Sequence, residues 1–143
     1  TALLLGLVNP GVGGVLLSGP YGVGKTTAVR GLGDLLPVVE QEGEDEQGQP
    51  LIRRGRMRLV ELPLNARLED VVGGVNERVL VEQQAVLLEP GILARAHRNL
   101  LYVDEVNLLA PAVVDAILDA AAQGRTLVRR GPATRLFPSQ FVL

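Results

Sequence analysis

A glycine-rich segment near the amino terminus has the residue types and the spacing of a phosphate-binding loop. The segment fits the pattern G-x-x-x-x-G-K-[ST] and comprises Gly19, Pro20, Tyr21, Gly22, Val23, Gly24, Lys25, Thr26 and Thr27. Its glycines allow positive φ angles, so that backbone N–H groups can surround a polyphosphate closely. Lys25 would place its ammonium group on the β- and γ-phosphate oxygens, and the Thr26 hydroxyl would ligate Mg²⁺. Lys25 is the only lysine among 14 basic residues, which fits a site that needs a slim point charge.

Two acidic residues form the expected second half of such a site. Asp104 and Glu105 directly follow the apolar segment 99–103, which predicts a buried strand. An aspartate at the carboxyl end of a strand is suited to hold Mg²⁺ through water, and Glu105 is placed to act as general base toward an attacking water. Acidic residues after strands are also common in turns and helix caps. The assignment of Asp104 and Glu105 to Mg²⁺ and water therefore depends on the presence of the phosphate-binding loop. The long separation from Lys25 leaves room for an extra strand, as in P-loop ATPases with a catalytic glutamate.

The elements that must position these motifs alternate between strands and helices. Periodicity predicts helices over residues 1–8, 25–36, 76–84, 90–97 and 111–123, and strands over 14–18, 57–62, 99–103 and from 140 onwards. Residues 126–130 and 133–137 flank Gly131-Pro132 and predict a β-hairpin. Residues 40–46 hold five acids and predict a solvated loop. The alternation predicts an α/β fold with three layers and a mainly parallel sheet.

The composition limits the class of protein. The 143 residues fit one domain, and 47% hydrophobic with 21% charged residues indicate a globular chain. A net charge of −2 gives no general attraction to nucleic acid or to anionic membranes, so we expect neither as a partner. The absence of cysteine excludes disulfides and thiolate metal sites and fits a cytoplasmic location. Because the sequence begins at Thr1 and ends at Leu143 within an apolar run, we expect it to be part of a longer chain.

Six motifs follow one another along nearly the whole chain in an order that is typical of one family. They are Gly19–Thr27, Leu62–Ala66, Glu69–Gly73, Glu89–Ala94, Tyr102–Leu109 and Val113–Asp115. Together they resemble the AAA+ ATPase (I) subunit of magnesium chelatase. The strings EPGILA and YVDEVNLL are fairly specific to that family and are less similar to its MoxR relatives.

The resemblance implies a P-loop NTPase core of the AAA+ type over residues 1–143, with a helix-2 insert at about 71–88 and a pre-sensor hairpin at about 126–137. It implies a homo-oligomeric ring, usually a hexamer, in which ATP hydrolysis drives Mg²⁺ insertion into protoporphyrin IX. The partners implied are a second AAA+ subunit with an integrin-like domain and a porphyrin-binding subunit. By the same resemblance ATP and Mg²⁺ are the cofactors. The matching nucleotide residues are Gly19, Gly22, Gly24, Lys25 and Thr26, and Asp104 and Glu105 match the residues for Mg²⁺ and water.

The sequence also departs from the family pattern. The sensor asparagine, the arginine finger, the second sensor and the helical lid have no counterpart, so we expect a core truncated before its last strand and lid. The isolated fragment would then hydrolyse ATP poorly, and residues 14–18 would form an exposed sheet edge. The segment 40–56 is shorter than in many family members. This difference indicates either a reduced version or residues that the sequence omits.

Other interpretations stay open. A MoxR-like chaperone ATPase shares the motifs, and a nucleotide-binding scaffold with poor hydrolysis would resemble the partner subunit. The arginines at 53–58, and those at 125, 129, 130 and 135, could contact another subunit, although ordinary exposed charges explain both groups more simply. His97 is the only histidine, and we expect a boundary residue at a helix end rather than a metal ligand.

Overall fold

The computed structural model describes residues 1–143, with the side chains of all of them except Pro10 and Glu44. Its α-helices are α1 (Ala2–Val8), α2 (Lys25–Arg30), α3 (Leu68–Val72), α4 (Glu77–Gln83), α5 (Ile92–Arg95) and α6 (Pro111–Gln123). Its strands are β1 (Val38–Glu44), β2 (Pro50–Arg56), β3 (Leu59–Leu62), β4 (Gly73–Val75), β5 (Leu88–Pro90), β6 (Leu100–Val103), β7 (Arg125–Arg130) and β8 (Ala133–Pro138). Short 3₁₀ helices comprise Pro10–Val12, Gly31–Leu35 and Val106–Leu108.

A small parallel sheet lies at the centre of the fold. Strands β3 and β6 pair in parallel, with Leu59 opposite Leu100. On the other side of β6 the segment 140–143 runs in the same direction, and the Leu101 amide donates to the Val142 carbonyl at 2.8 Å. The strands predicted at 57–62 and 99–103 are therefore confirmed as β3 and β6, whereas the strand predicted from 140 onwards forms only an isolated bridge between Val142 and Leu100. Since parallel strands end at one edge of a sheet, this edge is where the motifs after them can meet.

The strand predicted at residues 14–18 is only partly formed, which corrects the sequence analysis. The Val15 amide donates to the Leu143 carbonyl at 2.7 Å, and the Leu143 amide donates to the Gly13 carbonyl at 3.1 Å. These two bonds place the segment beside 140–143, but no strand is assigned to it and Leu16 is 81% exposed. No backbone hydrogen bond joins residues 16–18 to another part of the described chain, so the pairing ends at Val15.

The central sheet is parallel, as expected, and within the described chain antiparallel pairing is confined to separate two-stranded sheets. Among the described residues, the other three strand pairs, β1–β2, β4–β5 and β7–β8, are antiparallel. Each joins strands that are close in sequence, and such strands can reverse direction without a crossover connection. The pair β7–β8 confirms the hairpin predicted around Gly131-Pro132. The fold is therefore a mixed α/β fold with a parallel pair at its centre.

The acidic segment predicted as a loop is strand β1, and the arginine-rich segment after it is β2. The register places Glu40 opposite Arg54, with 3.8 Å between the carboxylate and the guanidinium. Between the strands, Asp45 Oδ1 accepts hydrogen bonds from the amides of Gln47 and Gln49 at 2.9 and 2.8 Å. Glu40 with Arg54 is the one acid–arginine pair in the described register, and such an exposed pair contributes little. The segment forms a hairpin because its backbone pairs over the whole of β1 and β2 around the turn at Asp45.

The helices differ in how well the sequence defines their ends. Helix α6 begins at Pro111 and ends before Gly124, whose φ of 68° forms a left-handed cap, as predicted. Helix α2 ends at Arg30, because the chain continues as the 3₁₀ helix Gly31–Leu35 before Pro37. The helix predicted at 90–97 is shorter, Ile92–Arg95, because Pro90 belongs to strand β5.

The main core lies between the parallel pair and helices α3, α5 and α6. Its buried members are Leu62, Val71, Leu93, Ala96, Leu101, Leu109, Val113, Ile117 and Ala120. A second cluster, Leu88, Val128 and Phe137, packs the β4–β5 pair against the β7–β8 hairpin. Helix α4, between β4 and β5, buries none of its residues. In the part of the chain that the structure describes, every helix is too short or too polar to cross a membrane.

Candidate functional site

Two of the three glycines of the phosphate-binding loop have the positive φ that the sequence predicts, whereas Gly19 does not. Gly22 and Gly24 adopt φ angles of 79° and 83°, which only glycine takes up without strain. A Cβ built on either residue would meet nothing within 4 Å, so the concave side of the loop is open. Helix α2 starts directly at Lys25, with Gly24 as its N-cap. The loop therefore offers space for a ligand against its main chain.

The main-chain amides at the start of α2 fit an anion. Among the described residues, the N–H groups of Lys25, Thr26 and Thr27 make no hydrogen bond to the protein. The Lys25 ammonium folds over the loop and donates to the carbonyls of Gly19 and Pro20, both at 2.8 Å. A polyphosphate is bound by unpaired main-chain N–H groups together with a positive charge, and this loop supplies both. The residues present therefore fit a nucleotide phosphate chain.

The two motifs that are distant in sequence meet at the carboxyl end of β6. Thr26 Oγ1 donates to Asp104 Oδ2 at 3.4 Å. The same hydroxyl oxygen accepts a hydrogen bond from the Tyr102 hydroxyl at 3.1 Å. A hydroxyl and a carboxylate, both oxygen ligands, thus lie side by side, which is the chemistry that Mg²⁺ prefers. The residues present fit a magnesium ion at this point.

Glu105 lies in the turn between β6 and the 3₁₀ helix Val106–Leu108. Its φ is 47°, in the left-handed region that a non-glycine residue seldom adopts, and it caps the 3₁₀ helix Val106–Leu108. The side chain is partly exposed and makes no hydrogen bond or ion pair with other described residues. An unpaired carboxylate next to Asp104 can accept a proton from water. A strained backbone at such a place is typical of functional sites.

The remaining residues of the loop differ in how they contribute. Tyr21 and Val23 are 83% and 58% exposed, so their side chains point to solvent and their backbone shapes the loop. Pro20 contributes its carbonyl to Lys25, and Thr27 is exposed in the first turn of α2. All eleven residues that the sequence predicts at the site therefore lie along the loop or at the end of β6.

Two contacts at the site were missed by the sequence analysis. One is the Tyr102 hydroxyl, which the apolar strand pattern led us to assign to the core. The other is a bidentate pair in which Arg30 Nε and Nη2 lie 3.1 and 3.5 Å from the two carboxylate oxygens of Glu61. Arg30 ends α2 and Glu61 lies on β3, so this pair ties the loop helix to the parallel sheet. A signal for Tyr102 existed in its position two residues before Asp104, since alternate residues of a strand share a face.

His97 lies away from the site, after helix α5. Its Nδ1 accepts a hydrogen bond from the Gln140 amide at 3.1 Å, and its Nε2 lies 3.5 Å from Glu42 Oε2. Burial lowers the pKa of His97 below its ordinary value, the nearby Glu42 carboxylate opposes this shift, and the Arg98 charge adds to it. Among the described residues, no cluster of three or more histidine, aspartate or glutamate side chains could hold a metal ion. His97 is thus a half-buried residue whose ring holds the start of segment 140–143.

Comparisons with known proteins agree on one family. The family model described as "Magnesium chelatase, subunit ChlI" matches residues 3–143. The magnesium-chelatase subunit ChlI homolog of Methanocaldococcus jannaschii is 39% identical over 160 aligned residues, covering 99% of this chain and 44% of that protein. The magnesium-chelatase subunit ChlI of Synechocystis sp. is 37% identical over 163, covering 99% of this chain and 46% of that protein. The chain thus spans a little under half the length of these relatives.

The fold comparison gives the same result. A chain from the complex between subunits BchI and BchD of magnesium chelatase, based on a cryo-EM reconstruction, matches with a TM-score of 0.77 and 39% identity. The match covers 99% of this chain and 49% of that one. The two sequence alignments are longer than this chain of 143 residues, so both relatives carry residues that it lacks. That the difference falls in segment 40–56 stays a prediction. The chain belongs to the magnesium chelatase subunit ChlI family.

Proposed function

We propose that this chain is the ATP-binding and ATP-hydrolysing part of an AAA+ motor that drives metal insertion into a tetrapyrrole. The observation that carries the proposal is the contact between Thr26 and Asp104, two residues far apart in sequence whose side chains meet beside the Lys25 loop. Membership of the family supports the reaction class. The whole reaction, its substrate and its partners go beyond the part of the relatives that this chain matches.

Each residue of the site has a separate role in this mechanism. The amides of the loop and the Lys25 ammonium bind the phosphate chain and stabilise negative charge on the terminal phosphate. Thr26 and Asp104 supply the oxygen atoms that hold Mg²⁺, Asp104 through water. Bound Mg²⁺ supplies positive charge that polarises the phosphate oxygens. Glu105 orients the attacking water and accepts its proton, since its carboxylate is unpaired within the described chain.

We also assign the supporting elements by family resemblance. The core is a three-layer AAA+ core. The unit β4–α4–β5 would be the helix-2 insert, at about 71–88, and the β7–β8 hairpin would be the pre-sensor hairpin, at about 126–137. Helix α4 exposes Leu80 and Val81, at 42% and 79%, which fits an element that contacts another molecule. The assembly would be a homo-oligomeric ring, with an integrin-domain AAA+ subunit and a porphyrin-binding subunit as partners.

The test measures ATP hydrolysis and nucleotide binding for two site variants of the full-length protein. Lys25→Ala should lose nucleotide binding, because no second lysine exists to replace the charge. Glu105→Gln should keep binding while its turnover falls by about 100-fold or more, as expected for a lost general base. Glu46→Gln in the exposed turn between β1 and β2 removes the same charge and serves as the control. Normal turnover in Glu105→Gln would remove Glu105 from the mechanism, and unchanged binding in Lys25→Ala would refute the site.

The alternative functions are less well supported. A scaffold with poor hydrolysis does not require an intact set of Lys25, Thr26, Asp104 and Glu105, and all four are present. A MoxR-like chaperone ATPase would use the same site chemistry, but the family match favours the chelatase type. The same turnover measurement separates the scaffold from the motor. Neighbouring chelatase or tetrapyrrole genes would favour the chelatase type, whereas neighbouring genes for von Willebrand-type partners would favour the chaperone.

A further inference from the structure

Tyr102 makes the shortest side-chain contact to the Thr26 hydroxyl. Its own hydroxyl donates to Thr26 Oγ1 at 3.1 Å, whereas the bond from Thr26 to Asp104 measures 3.4 Å. Tyr102 and Asp104 are two residues apart at the end of β6, so their side chains leave the strand on the same side. Thr26 therefore lies between a phenol that donates and a carboxylate that accepts.

The two protein contacts use all but one of the hydrogen-bonding positions of the Thr26 hydroxyl. A threonine hydroxyl has one hydrogen to donate and two lone pairs to accept. In this structure the hydrogen is directed at Asp104 and one lone pair accepts from Tyr102. The second lone pair of Thr26 Oγ1 stays free, and coordination of a metal ion requires one lone pair. The two protein contacts thus fix the direction of the remaining lone pair without using it.

Tyr102 also restricts rotation of the Thr26 side chain about χ1. The side chain can take more than one staggered rotamer, and the bond from Tyr102 stabilises the one that faces Asp104. Without it, only the longer bond to Asp104 holds this rotamer.

We infer that Tyr102 is a positioning residue that presets the Thr26 hydroxyl for the magnesium ion of bound nucleotide. The inference rests on the proposed function, and it gives Tyr102 no contact with nucleotide. Its effect should therefore appear in the dependence of binding on Mg²⁺ and not in binding to the loop alone. A net hydrogen-bond contribution of about 0.5–1.5 kcal/mol corresponds to about a 2- to 12-fold change in affinity.

The experiment compares dissociation constants for a fluorescent, non-hydrolysable ATP analogue in EDTA and in saturating Mg²⁺. For the wild type the affinity should be higher in Mg²⁺. Tyr102→Phe keeps the ring and removes only the hydroxyl, so we expect an unchanged constant in EDTA and a gain from Mg²⁺ that is about 2- to 12-fold smaller. In steady-state turnover the Mg²⁺ concentration at half-maximal rate should rise, while kcat at saturating Mg²⁺ stays within about twofold. Thr134→Val, which removes an exposed hydroxyl from β8, is the control.

A double-mutant cycle tests whether Tyr102 acts through Thr26. Thr26→Val removes the hydroxyl, so adding Tyr102→Phe to it should change the Mg²⁺ gain no further. An additive effect in the double variant, an equal loss of affinity in EDTA, or a Mg²⁺ gain equal to that of the wild type would each overturn the inference. If the wild type binds no nucleotide in either condition, the proposed function fails as well. A wild-type Mg²⁺ gain that Tyr102→Phe retains overturns the inference about Tyr102 alone.

Discussion

Gly91 lies where two backbone segments approach too closely for any side chain. It is buried between β5 and α5, and a Cβ built on it would collide with the Val71 carbonyl group and lie 2.5 Å from the Gly73 amide nitrogen. These are main-chain atoms, so no side-chain rotation can relieve the contact. The φ of Gly91 is −87°, which alanine also adopts, so the whole effect of a substitution comes from this collision. Gly91→Ala is therefore a test of backbone packing alone.

The size of the effect follows from what must move. To admit a methyl group, the end of α3 must shift away from α5, and both helices contribute fully buried side chains, Val71 and Leu93, to the main core. Overpacking a well-packed core destabilises it by about 1–3 kcal/mol, and a collision with backbone should lie at the upper end or above, so we expect a loss of at least about 3 kcal/mol. Gly33→Ala is the matched control, because its Cβ would meet nothing within 4 Å.

Urea unfolding followed by circular dichroism gives the measurement. With a slope of about 1–3 kcal/mol per molar urea, a loss of 3 kcal/mol lowers the midpoint by about 1 M or more. Gly33→Ala should change the unfolding free energy by less than about 0.5 kcal/mol, or raise it slightly through the unfolded state. Equal midpoints for the two variants would refute the argument, since they would show that α3 and α5 separate at little cost.

Two further predictions concern buried polar groups. The lowered pKa of His97 means that the unfolded chain takes up a proton first as the pH falls below about 6.5, so the wild type should lose stability from there downward. His97→Asn keeps an acceptor in place of Nδ1 and should flatten this pH dependence in thermal unfolding at pH 5–8; an unaltered profile would mean that another group causes it. Thr126→Val removes one of the two partners of the buried Ser139 hydroxyl, 2.7 Å away, and leaves the bond to the Phe137 carbonyl. It should lower the unfolding free energy by about 0.5–1.5 kcal/mol in urea titration, and an unchanged unfolding free energy would contradict it.

The sequence predicts those elements whose signals are local. Helix α6 has a proline at its first position and a left-handed glycine after its last. The residues at each end therefore determine where the helix begins and ends. The β7–β8 hairpin and the parallel strand β6 are defined in the same way by a turn and by an apolar run. The glycines of the phosphate-binding loop also act locally, through their own φ angles. This is why the composition of the site could be predicted from the sequence.

What could not be predicted depends on a partner elsewhere in the chain. An acidic segment considered alone indicates a solvated loop, and it becomes strand β1 only because the backbone of β2 pairs with it along its whole length. An apolar segment at 14–18 indicates a buried strand, yet strand structure needs a neighbour to bond with, and the described chain supplies one only up to Val15. The role of Tyr102 is missed for a related reason, since its hydroxyl gains a function only when α2 brings Thr26 to it.

The distance between the two halves of the site is set by the sheet and not by the site residues. Few polar contacts join the loop side to the strand side: the hydroxyl of Thr26 with its two partners, and the exposed pair of Arg30 with Glu61. Exposed pairs contribute little, about 0–1 kcal/mol, so they cannot hold the halves in register. A close backbone contact exists at Gly14, where a Cβ would lie 2.5 Å from the Leu143 carbonyl oxygen, but residues 16–18 between it and the loop make no backbone hydrogen bond to other described residues. Apolar packing is the stronger constraint, because Leu32 and Leu36, which follow α2, lie in one buried cluster with Leu100 of β6. Burial of one such side chain contributes about 1.5–3 kcal/mol. The position of α2 relative to β6 therefore depends on leucines that contribute no polar group to the site.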